Sequence, residues 1–223
     1  MDKRLALKAL VRYLTGMVLI GLLVFLPAGT LSYARGQLFM GILFAPLLIM
    51  GLVLLFKSPE LLRRRLNSKE KEDTQKNVVK LSGLMFVTGF VLAGLDFRFG
   101  WVRVPFGVSI GAAVVFLLGY GMYAEVMREN VYLSRTVEIQ QDQKVIDTGL
   151  YGVVRHPMYT ATILMFISAP LVLGSVIAFL IFLVYPAIIV MRIGSEEKVL
   201  TEGLRGYSEY RQKVKYRLIP FVW

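Results

Sequence analysis

The chain has 223 residues, 56% of them hydrophobic, with a formal net charge of +11, one histidine and no cysteine. Apolar runs long enough to cross a bilayer core about 30 Å thick recur along it without alternation, so the composition indicates a multi-pass membrane protein built from α-helices. The absence of cysteine excludes disulfides, iron–sulfur clusters and thiolate metal sites, and a single histidine makes any other metal site unexpected. The positive charge is attributed to cytoplasmic loops rather than to nucleic-acid binding.

Four membrane-spanning helices are predicted in the first half of the chain. Their approximate bounds are Leu10–Leu31, Leu38–Phe56, Val78–Leu95 and Pro105–Tyr123. Together they form a first region, residues 1–124, whose first three spans carry no recognisable motif. The charged connection at residues 57–77 lacks an apolar face and is predicted to be a solvated helix or a linker.

A fifth and a sixth span are predicted from one apolar block, Met158–Met191, which is too long for a single crossing. Pro170 and Gly174 interrupt this block in a stretch that suits a tight turn. The block is therefore interpreted as a helical hairpin with arms at about 160–172 and 175–195. The first arm is short, so it is expected to be tilted or only partly spanning. The predicted fold class is thus all-α, with about six transmembrane helices.

Basic residues are distributed unevenly between the two ends of these spans. The N-terminal segment, the connection at 57–77, the segment after the fourth span and the C-terminal segment are rich in lysine and arginine. The opposite side has Arg35, Arg98 and Arg103. Because basic loops stay in the cytoplasm, both termini are predicted to be cytoplasmic. Residues 125–223 are predicted to form the functional region, with a pocket that opens on the same side.

The single histidine, His156, stands between Arg155 and Pro157, directly before the hairpin. Proline fixes the backbone, favours an extended conformation in the residue before it and suits the first position of a helix. The N–H groups of a helix start attract a carboxylate or another anion, so this corner is a candidate ligand site. The alternative is that Arg155 contacts lipid head groups while His156 only caps the helix.

Three charged residues follow the apolar run of the second hairpin arm. Arg192 and Glu196 are four residues apart and lie on one face of a helix, with Glu197 turned about 100° away. An exposed ion pair of this kind contributes little to stability. At the end of a membrane span, opposite the corner formed by Arg155 and His156, a charge normally has a partner or a function.

The C-terminal segment contains two tyrosines three residues apart, Tyr207 and Tyr210, and finishes with the apolar stretch Ile219–Trp223. It is predicted either to fold over the hairpin as a lid or to lie in the membrane interface. The carboxylates, tyrosines, imidazole and helix-start amides together suit a nucleotide-like, partly zwitterionic ligand. Neither a nucleophile with a metal cluster nor a glycine-rich nucleotide-binding fold is evident.

The stretches GLYGVVRHPMY, EEKVL and YSEYRQKVKYRLIPF, with a hairpin between the first two, resemble the isoprenylcysteine carboxyl methyltransferase family and its relatives among phospholipid methyltransferases. The resemblance covers roughly residues 130–223. It implies an integral membrane methyltransferase that uses S-adenosylmethionine. It also implies a cofactor pocket that is open to the cytosol and a tunnel between helices that admits a lipid-like substrate.

The same resemblance assigns residues to the site. Arg192 corresponds to an arginine near the substrate carboxylate and Glu196 to an acid that binds the cofactor, and these two are the candidate catalytic residues. The candidate cofactor-binding residues are Gln143, Lys144, Val145, Ile146, Tyr151, His156, Pro157, Met158, Tyr159, Glu196 and Glu197. Leu150 and Gly152 depart from the residues usual in the family, which bears on the shape of the pocket.

The expected activity is methyl transfer to a lipophilic acceptor, with an isoprenylcysteine-like carboxylate as the first choice. A phospholipid or a small thiol is an alternative acceptor. An NADPH-dependent membrane reductase is a further alternative, because sterol reductases share a similar C-terminal pattern, although they are longer and have a cysteine in the tail. A membrane scaffold without activity is disfavoured by the consistent spacing of the polar residues. The expected partners are the lipophilic substrate and membrane lipids.

Overall fold

The computed structural model describes residues 2–67 and 73–223. Within these ranges the regular structure consists of nine α-helices and one short 3-10 helix, Gly149–Gly152. The α-helices are α1 Lys3–Ala28, α2 Ala34–Lys57, α3 Pro59–Leu66, α4 Asp73–Phe99, α5 Phe106–Glu129, α6 Pro157–Val172, α7 Val176–Phe182, α8 Tyr185–Gly203 and α9 Tyr207–Lys213. The prediction of an all-α fold is confirmed.

Five stretches within the described ranges are long and apolar enough to cross a membrane. They are Lys3–Ala28, Ala34–Lys57, Gln75–Phe99, Phe106–Glu129 and Val176–Gly203, the last of which joins α7 and α8. The first arm of the hairpin, α6, is apolar but has 16 residues, fewer than a helix needs to cross the core upright. α1 ends at Ala28 rather than at the predicted Leu31, because Gly29 adopts a left-handed conformation and caps the helix.

The turn of the hairpin comes after Pro170 rather than at it. Pro170 lies inside α6, close to its end. Gly174 has a φ of 76°, a conformation that favours glycine because a side chain would be strained there. Ser175 then caps α7, since its hydroxyl oxygen accepts a hydrogen bond from the N–H of Ala178 at 3.1 Å. The second arm continues through α7 and α8.

The start of α1, the short helix α3 and the segment after α5 meet at one end of the bundle. Asp2, which caps α1, forms an ion pair with Arg63 of α3 at 2.5 Å. Arg65 of α3 donates a hydrogen bond to the carbonyl oxygen of Ser134 at 3.1 Å. These basic segments therefore lie at one end of the bundle, as predicted.

The first part of the connection at residues 57–77 differs from its prediction. Leu61 and Leu62 of α3 are buried, and Leu61 packs with Met127 of α5 in a small apolar cluster. A pair of leucines thus gives α3 a packed face that the charge of the stretch conceals. Residues 68–72 of the same connection lie outside the described ranges.

Aromatic side chains fill the core between α4, α6, α7 and α8. Phe86 of α4 meets Phe166 and Phe182 edge to face, with ring centroids 4.8 Å and 5.6 Å apart. Tyr185 stands against Phe166 with ring centroids 4.9 Å apart. Such pairs add to the free energy of burial. The cluster fixes the hairpin against α4, and these elements carry the walls of the candidate site.

Candidate functional site

A cavity opens at the end of the bundle where α6 begins and α8 ends. Its walls come from the irregular segment at residues 130–146, the first turn of α6, the second half of α8 and the helix α9. Ten of the predicted site residues line it: Gln143, Lys144, Val145, Ile146, Tyr151, His156, Met158, Tyr159, Arg192 and Glu196. Pro157 and Glu197 are not among the lining residues. The structure thus brings together side chains from both sides of the hairpin.

Arg192 and Glu196 are linked through a tyrosine. The Tyr159 hydroxyl donates a hydrogen bond to Oε2 of Glu196 and accepts one from Nε of Arg192 at 2.8 Å. The other branch of the guanidinium, Nη2, donates to the carbonyl oxygen of Arg135 at 2.7 Å. Arg192 and Glu196 therefore lie on one face of α8, as predicted, and the Tyr159 hydroxyl lies between them.

Glu197 lies behind the cavity wall, in a buried charge network. One carboxylate oxygen accepts a hydrogen bond from Nε of Arg155 at 2.8 Å and lies 3.2 Å from Nε2 of His156. The other accepts from Nε of Arg217 at 3.1 Å. Arg155 is 7% exposed, so it does not reach lipid head groups. The charges that follow the second arm are thus divided, with Glu196 at the cavity and Glu197 in the structural network.

The C-terminal segment pairs with the backbone directly before α6. The N–H groups of Arg155 and His156 donate to the carbonyl oxygens of Tyr216 and Arg217, each at 2.9 Å. The side chain of His156 makes no capping hydrogen bond to α6. Two backbone N–H groups at this candidate anion site are therefore already hydrogen-bonded within the protein. Pro157 is the first residue of α6, as predicted.

Three buried tyrosines form one side of the cavity. Tyr151 accepts a hydrogen bond from Nδ2 of Asn130 at 2.9 Å, and its carbonyl oxygen accepts one from the Tyr210 hydroxyl at 2.8 Å. The Tyr207 hydroxyl is buried and has no hydrogen-bond partner within residues 2–67 and 73–223. Burial raises the pKa of all three phenols above its usual value, because the charged form is poorly solvated there.

Several lining residues were not among those predicted for the site. They include Ser134, Thr136, Glu138, Leu200, Leu204, Tyr207 and Tyr210. The spacing of the two tyrosines was a sequence signal, although their place in the cavity was not. Glu138 lies in a segment without helical or strand periodicity, and nothing in its local sequence distinguishes it from a surface acid.

A second cavity, here called the groove, lies between α4, α6 and α8. Its basic lining residues are Arg65, Lys76, Lys80, Arg135 and Arg192, and its apolar ones include Val78, Phe86, Phe166, Tyr185 and Ile189. Aspartate and glutamate are absent from this lining among the residues that the structure describes. Met158, Tyr159 and Arg192 line both cavities. The groove and the first cavity therefore meet at three side chains.

In the part of the chain that the structure describes, acidic and imidazole side chains do not gather into a metal site. Within the described ranges, no group of three or more histidine, cysteine, aspartate or glutamate residues is placed to hold a metal ion. Both carboxylate oxygens of Glu197 accept hydrogen bonds from arginines. The polar atoms available to a ligand are therefore those of the cavity walls.

A solved structure shares the fold of this chain. A structure of the eukaryotic intramembrane Ras methyltransferase ICMT, isoprenylcysteine carboxyl methyltransferase, superimposes with a TM-score of 0.56 at 18% identity, over 92% of this chain and 74% of that chain. At this identity the likeness concerns the fold. Delta(14)-sterol reductase TM7SF2 of Mus musculus is 30% identical over 91 residues, which are 40% of this chain and 22% of the reductase. The chain thus spans less than a quarter of that relative.

A family model matches part of the chain. The model of the phospholipid methyltransferase family, PEMT, matches residues 108–206. This range runs from the start of α5 to the segment after α8 and includes most of the residues that line the two cavities. The resemblance to this family seen in the sequence is therefore confirmed over residues 108–206, which are less than half of the chain.

Proposed function

We propose that the protein is an integral membrane methyltransferase that transfers a methyl group from S-adenosylmethionine to a lipophilic acceptor. One observation carries this proposal: a polar cavity and a basic, partly apolar groove meet at Met158, Tyr159 and Arg192. A reaction between a water-soluble donor and a membrane-embedded acceptor needs two such sites with a common wall. The match of residues 108–206 to the phospholipid methyltransferase family model supports the same reaction class.

The side chains of the first cavity fit S-adenosylmethionine. Glu138 and Glu196 offer carboxylates to an amino group or to ribose hydroxyls, Lys144 offers a cation to a carboxylate, and tyrosine rings offer flat surfaces to an adenine. The buried Tyr207 hydroxyl, which has no partner within the described ranges, is a donor for a ligand acceptor. Bound there, S-adenosylmethionine supplies a methyl group on a sulfonium sulfur, which keeps the electron pair when an acceptor atom takes the methyl group.

The lining of the groove favours an acceptor with a negative head and an apolar tail. Five basic side chains line it alongside aromatic and aliphatic ones. An isoprenylcysteine-like carboxylate has this chemistry, and as an anion it needs no general base. A free amine would lie among like charges, which disfavours a phospholipid amine unless its phosphate takes the basic side chains. A small thiol would leave the apolar part of the groove empty.

Arg192 holds the acceptor head in this proposal. Its Nε is bound to Tyr159 and its Nη2 to the Arg135 carbonyl oxygen, so its orientation is fixed between the two cavities. The Tyr159 hydroxyl donates to Oε2 of Glu196, and in this proposal Oε1 of that carboxylate binds the cofactor. Positioning of the two reactants by these residues is the main contribution that a transfer from an activated donor requires.

Substitution of Arg192 tests this division of roles. We expect Arg192→Gln to lower kcat/KM by about 10- to 100-fold, the effect of losing a hydrogen bond to a charged group, while the affinity for S-adenosylhomocysteine measured by calorimetry is kept. Arg192→Lys should recover part of the activity by restoring the charge without the forked geometry. Arg103→Gln, at the other end of the bundle, is the control. An equal loss of cofactor affinity and turnover in Arg192→Gln would contradict the assignment.

The acceptor is identified by labelling. The purified protein is incubated with methyl-labelled S-adenosylmethionine and either total membrane lipid or a prenylated cysteine analogue. A methyl ester releases volatile labelled methanol in alkali, whereas methyl groups on nitrogen or sulfur do not. Alkali-labile label in the lipid fraction supports the carboxylate, alkali-stable label supports an amine or thiol, and no transfer to any fraction overturns the methyltransferase proposal.

A membrane reductase is the second candidate, and the similarity to Delta(14)-sterol reductase TM7SF2 over 91 residues favours it. The two candidates need different cofactors in the same cavity. We expect S-adenosylmethionine and S-adenosylhomocysteine to raise the thermal unfolding midpoint of the protein, and NADPH to leave it unchanged. Protection by NADPH alone would replace the methyltransferase by the reductase.

A further inference from the structure

The C-terminal segment, residues 214–223, divides into a packed part and an exposed part. Val214 and Leu218 are buried. Ile219, Phe221 and Val222 are 53%, 87% and 75% exposed. These three side chains, here called the apolar tip, form a cluster on a segment that otherwise closes the back of the site. An exposed apolar cluster of this kind marks a contact surface.

The backbone of the tip is a closed turn. The N–H of Val222 donates to the carbonyl oxygen of Ile219 at 3.1 Å, and the N–H groups of Arg217 and Leu218 donate to the main-chain oxygen of Trp223 at 2.9 Å and 3.0 Å. Phe221 has a φ of 65°, which is unfavourable for a residue other than glycine. The turn therefore holds its phenylalanine outward at a conformational cost, and burial of that side chain elsewhere would offset the cost.

The tip stands where the hairpin enters the bundle. The Thr160 hydroxyl, in the first turn of α6, donates a hydrogen bond to the carbonyl oxygen of Leu218 at 2.9 Å. The backbone pairing of residues 155–156 with residues 216–217 fixes the segment against the same helix start. Because α6 is an apolar helix of the membrane-spanning bundle, the tip lies next to the point where that helix leaves the polar end of the protein.

A third cavity, here called the basic cleft, lies beside the tip. It is lined by Arg211, Lys215 and Arg217 together with Val222 and Trp223, and no acid is among its lining residues in the part of the chain that the structure describes. The guanidinium of Arg217 lies 4.9 Å from the centroid of the Trp223 ring. Lysine and arginine next to exposed apolar and aromatic side chains are the combination that binds anionic bilayer surfaces.

We propose that the apolar tip inserts into the interface of an anionic membrane leaflet while the neighbouring basic cleft binds lipid phosphates. Three apolar side chains are too few for a stable contact with a second copy of the chain, which needs about 800 Å² on each partner. The positive charge of the basic cleft selects anionic lipids over zwitterionic ones. The segment would then act both as a back wall of the site and as a membrane contact that holds this wall at the bilayer surface.

A spin label at the tip tests the insertion, and the absence of cysteine from the chain allows labelling at one position. Phe221→Cys carries the label in nanodiscs of phosphatidylcholine or of an equal mixture with phosphatidylglycerol. Thr148→Cys, in an exposed loop position, is the water control, and Leu22→Cys, on the exposed face of α1, is the lipid control. In the mixed discs we expect the label at 221 to be relaxed by oxygen more than by a nickel chelate, as at Leu22.

The lipid dependence is the second part of the test. The preference for oxygen should fall in phosphatidylcholine discs and after Lys215→Gln in the mixed discs. A label at 221 that behaves like the one at Thr148 in both discs overturns the insertion. Equal insertion in both discs overturns the selection of anionic lipid, and spin–spin broadening that disappears on dilution with unlabelled protein assigns the tip to a second copy instead.

A variant that keeps Phe221 controls for any change in structure that the spin label itself causes. The chain has two tryptophans, so Trp101→Phe leaves Trp223 as the fluorescent reporter beside the tip. We expect brominated phosphatidylglycerol to quench Trp223 more than brominated phosphatidylcholine does. Equal or absent quenching by the two lipids contradicts the proposal.

Discussion

Glu197, in the second half of α8, is buried against the segment directly before α6 and against the C-terminal segment. Its two oxygens accept hydrogen bonds from Arg155 and Arg217. Arg155 in turn donates to the carbonyl oxygens of Val214 and Lys215, each at 2.8 Å. One carboxylate therefore connects three segments that are far apart in the sequence, and the shape of the cavity wall depends on it.

Removing this charge should weaken the fold. Glu197→Gln leaves the buried Arg155 without its counter-charge, and breaking a buried ion pair on one side costs about 3–5 kcal/mol. We expect a loss of this size in the free energy of unfolding from a denaturation series in mild detergent. Glu202→Gln, at an exposed position of the same helix, should change it by less than about 0.5 kcal/mol. A small effect at both positions would contradict the role given to Glu197.

The buried tyrosines of the cavity predict a loss of stability in alkali. Burial raises the pKa of Tyr207 in the folded protein above the unfolded value near 10. The folded state thus holds the phenol proton more tightly, so this contribution is complete below about pH 10 and is lost as the pH rises above it. We expect Tyr207→Phe to shift the alkaline fall of the thermal midpoint to higher pH.

The same variant should leave stability near neutral pH unchanged, because the Tyr207 hydroxyl has no hydrogen-bond partner in the described part of the chain. Tyr132→Phe is the matched control, since its hydroxyl bonds to the Asp142 carbonyl oxygen at an exposed position. It should not move the alkaline fall. If both variants move it equally, ionisation elsewhere in the protein determines the loss.

At the scale of whole helices, the sequence predicts most of the architecture. The long apolar runs that become α1, α2, α4 and α5 are visible because each must satisfy its backbone hydrogen bonds within the bilayer. Pro157 marks the start of α6, and Gly174 marks the hairpin turn. The buried face of α3 is hidden, because Leu61 and Leu62 find their partners only in the tertiary structure.

The site is less predictable than the helices. Arg192, Tyr159 and Glu196 were assigned by resemblance, and their hydrogen bonds could be anticipated only in part from helical spacing. The pairing of Arg155 with Glu197 joins residues 42 positions apart, and no local pattern specifies such a contact. The role of the tyrosines near residue 207 likewise depends on how the C-terminal segment folds back, which hydrophobic periodicity does not encode.

Close packing between α5 and α6 requires a glycine. A Cβ at Gly119 would stand 2.9 Å from Cγ of Met165 and 3.0 Å from the carbonyl oxygen of Ala161, whereas one at Gly121 would meet nothing within 4 Å. We expect Gly119→Val to destabilise the protein by about 1–3 kcal/mol, the cost of overpacking. Gly121→Val is the control and should be close to neutral. Similar melting curves for the two variants would show that α5 and α6 can separate without cost.

The distribution of charge over the whole molecule predicts its orientation. The basic segments meet at the end that carries both cavities, and the contact between Asp2 and Arg63 joins the N-terminal segment to that end. Because basic loops are retained in the cytoplasm, we expect a cysteine at Thr148 to react with a membrane-impermeant maleimide only after cells are opened. A cysteine at Leu31, in the exposed turn at the other end, should react in intact cells. The reverse pattern would place the cofactor cavity outside the cytoplasm, away from the supply of S-adenosylmethionine, and would contradict the proposed reaction.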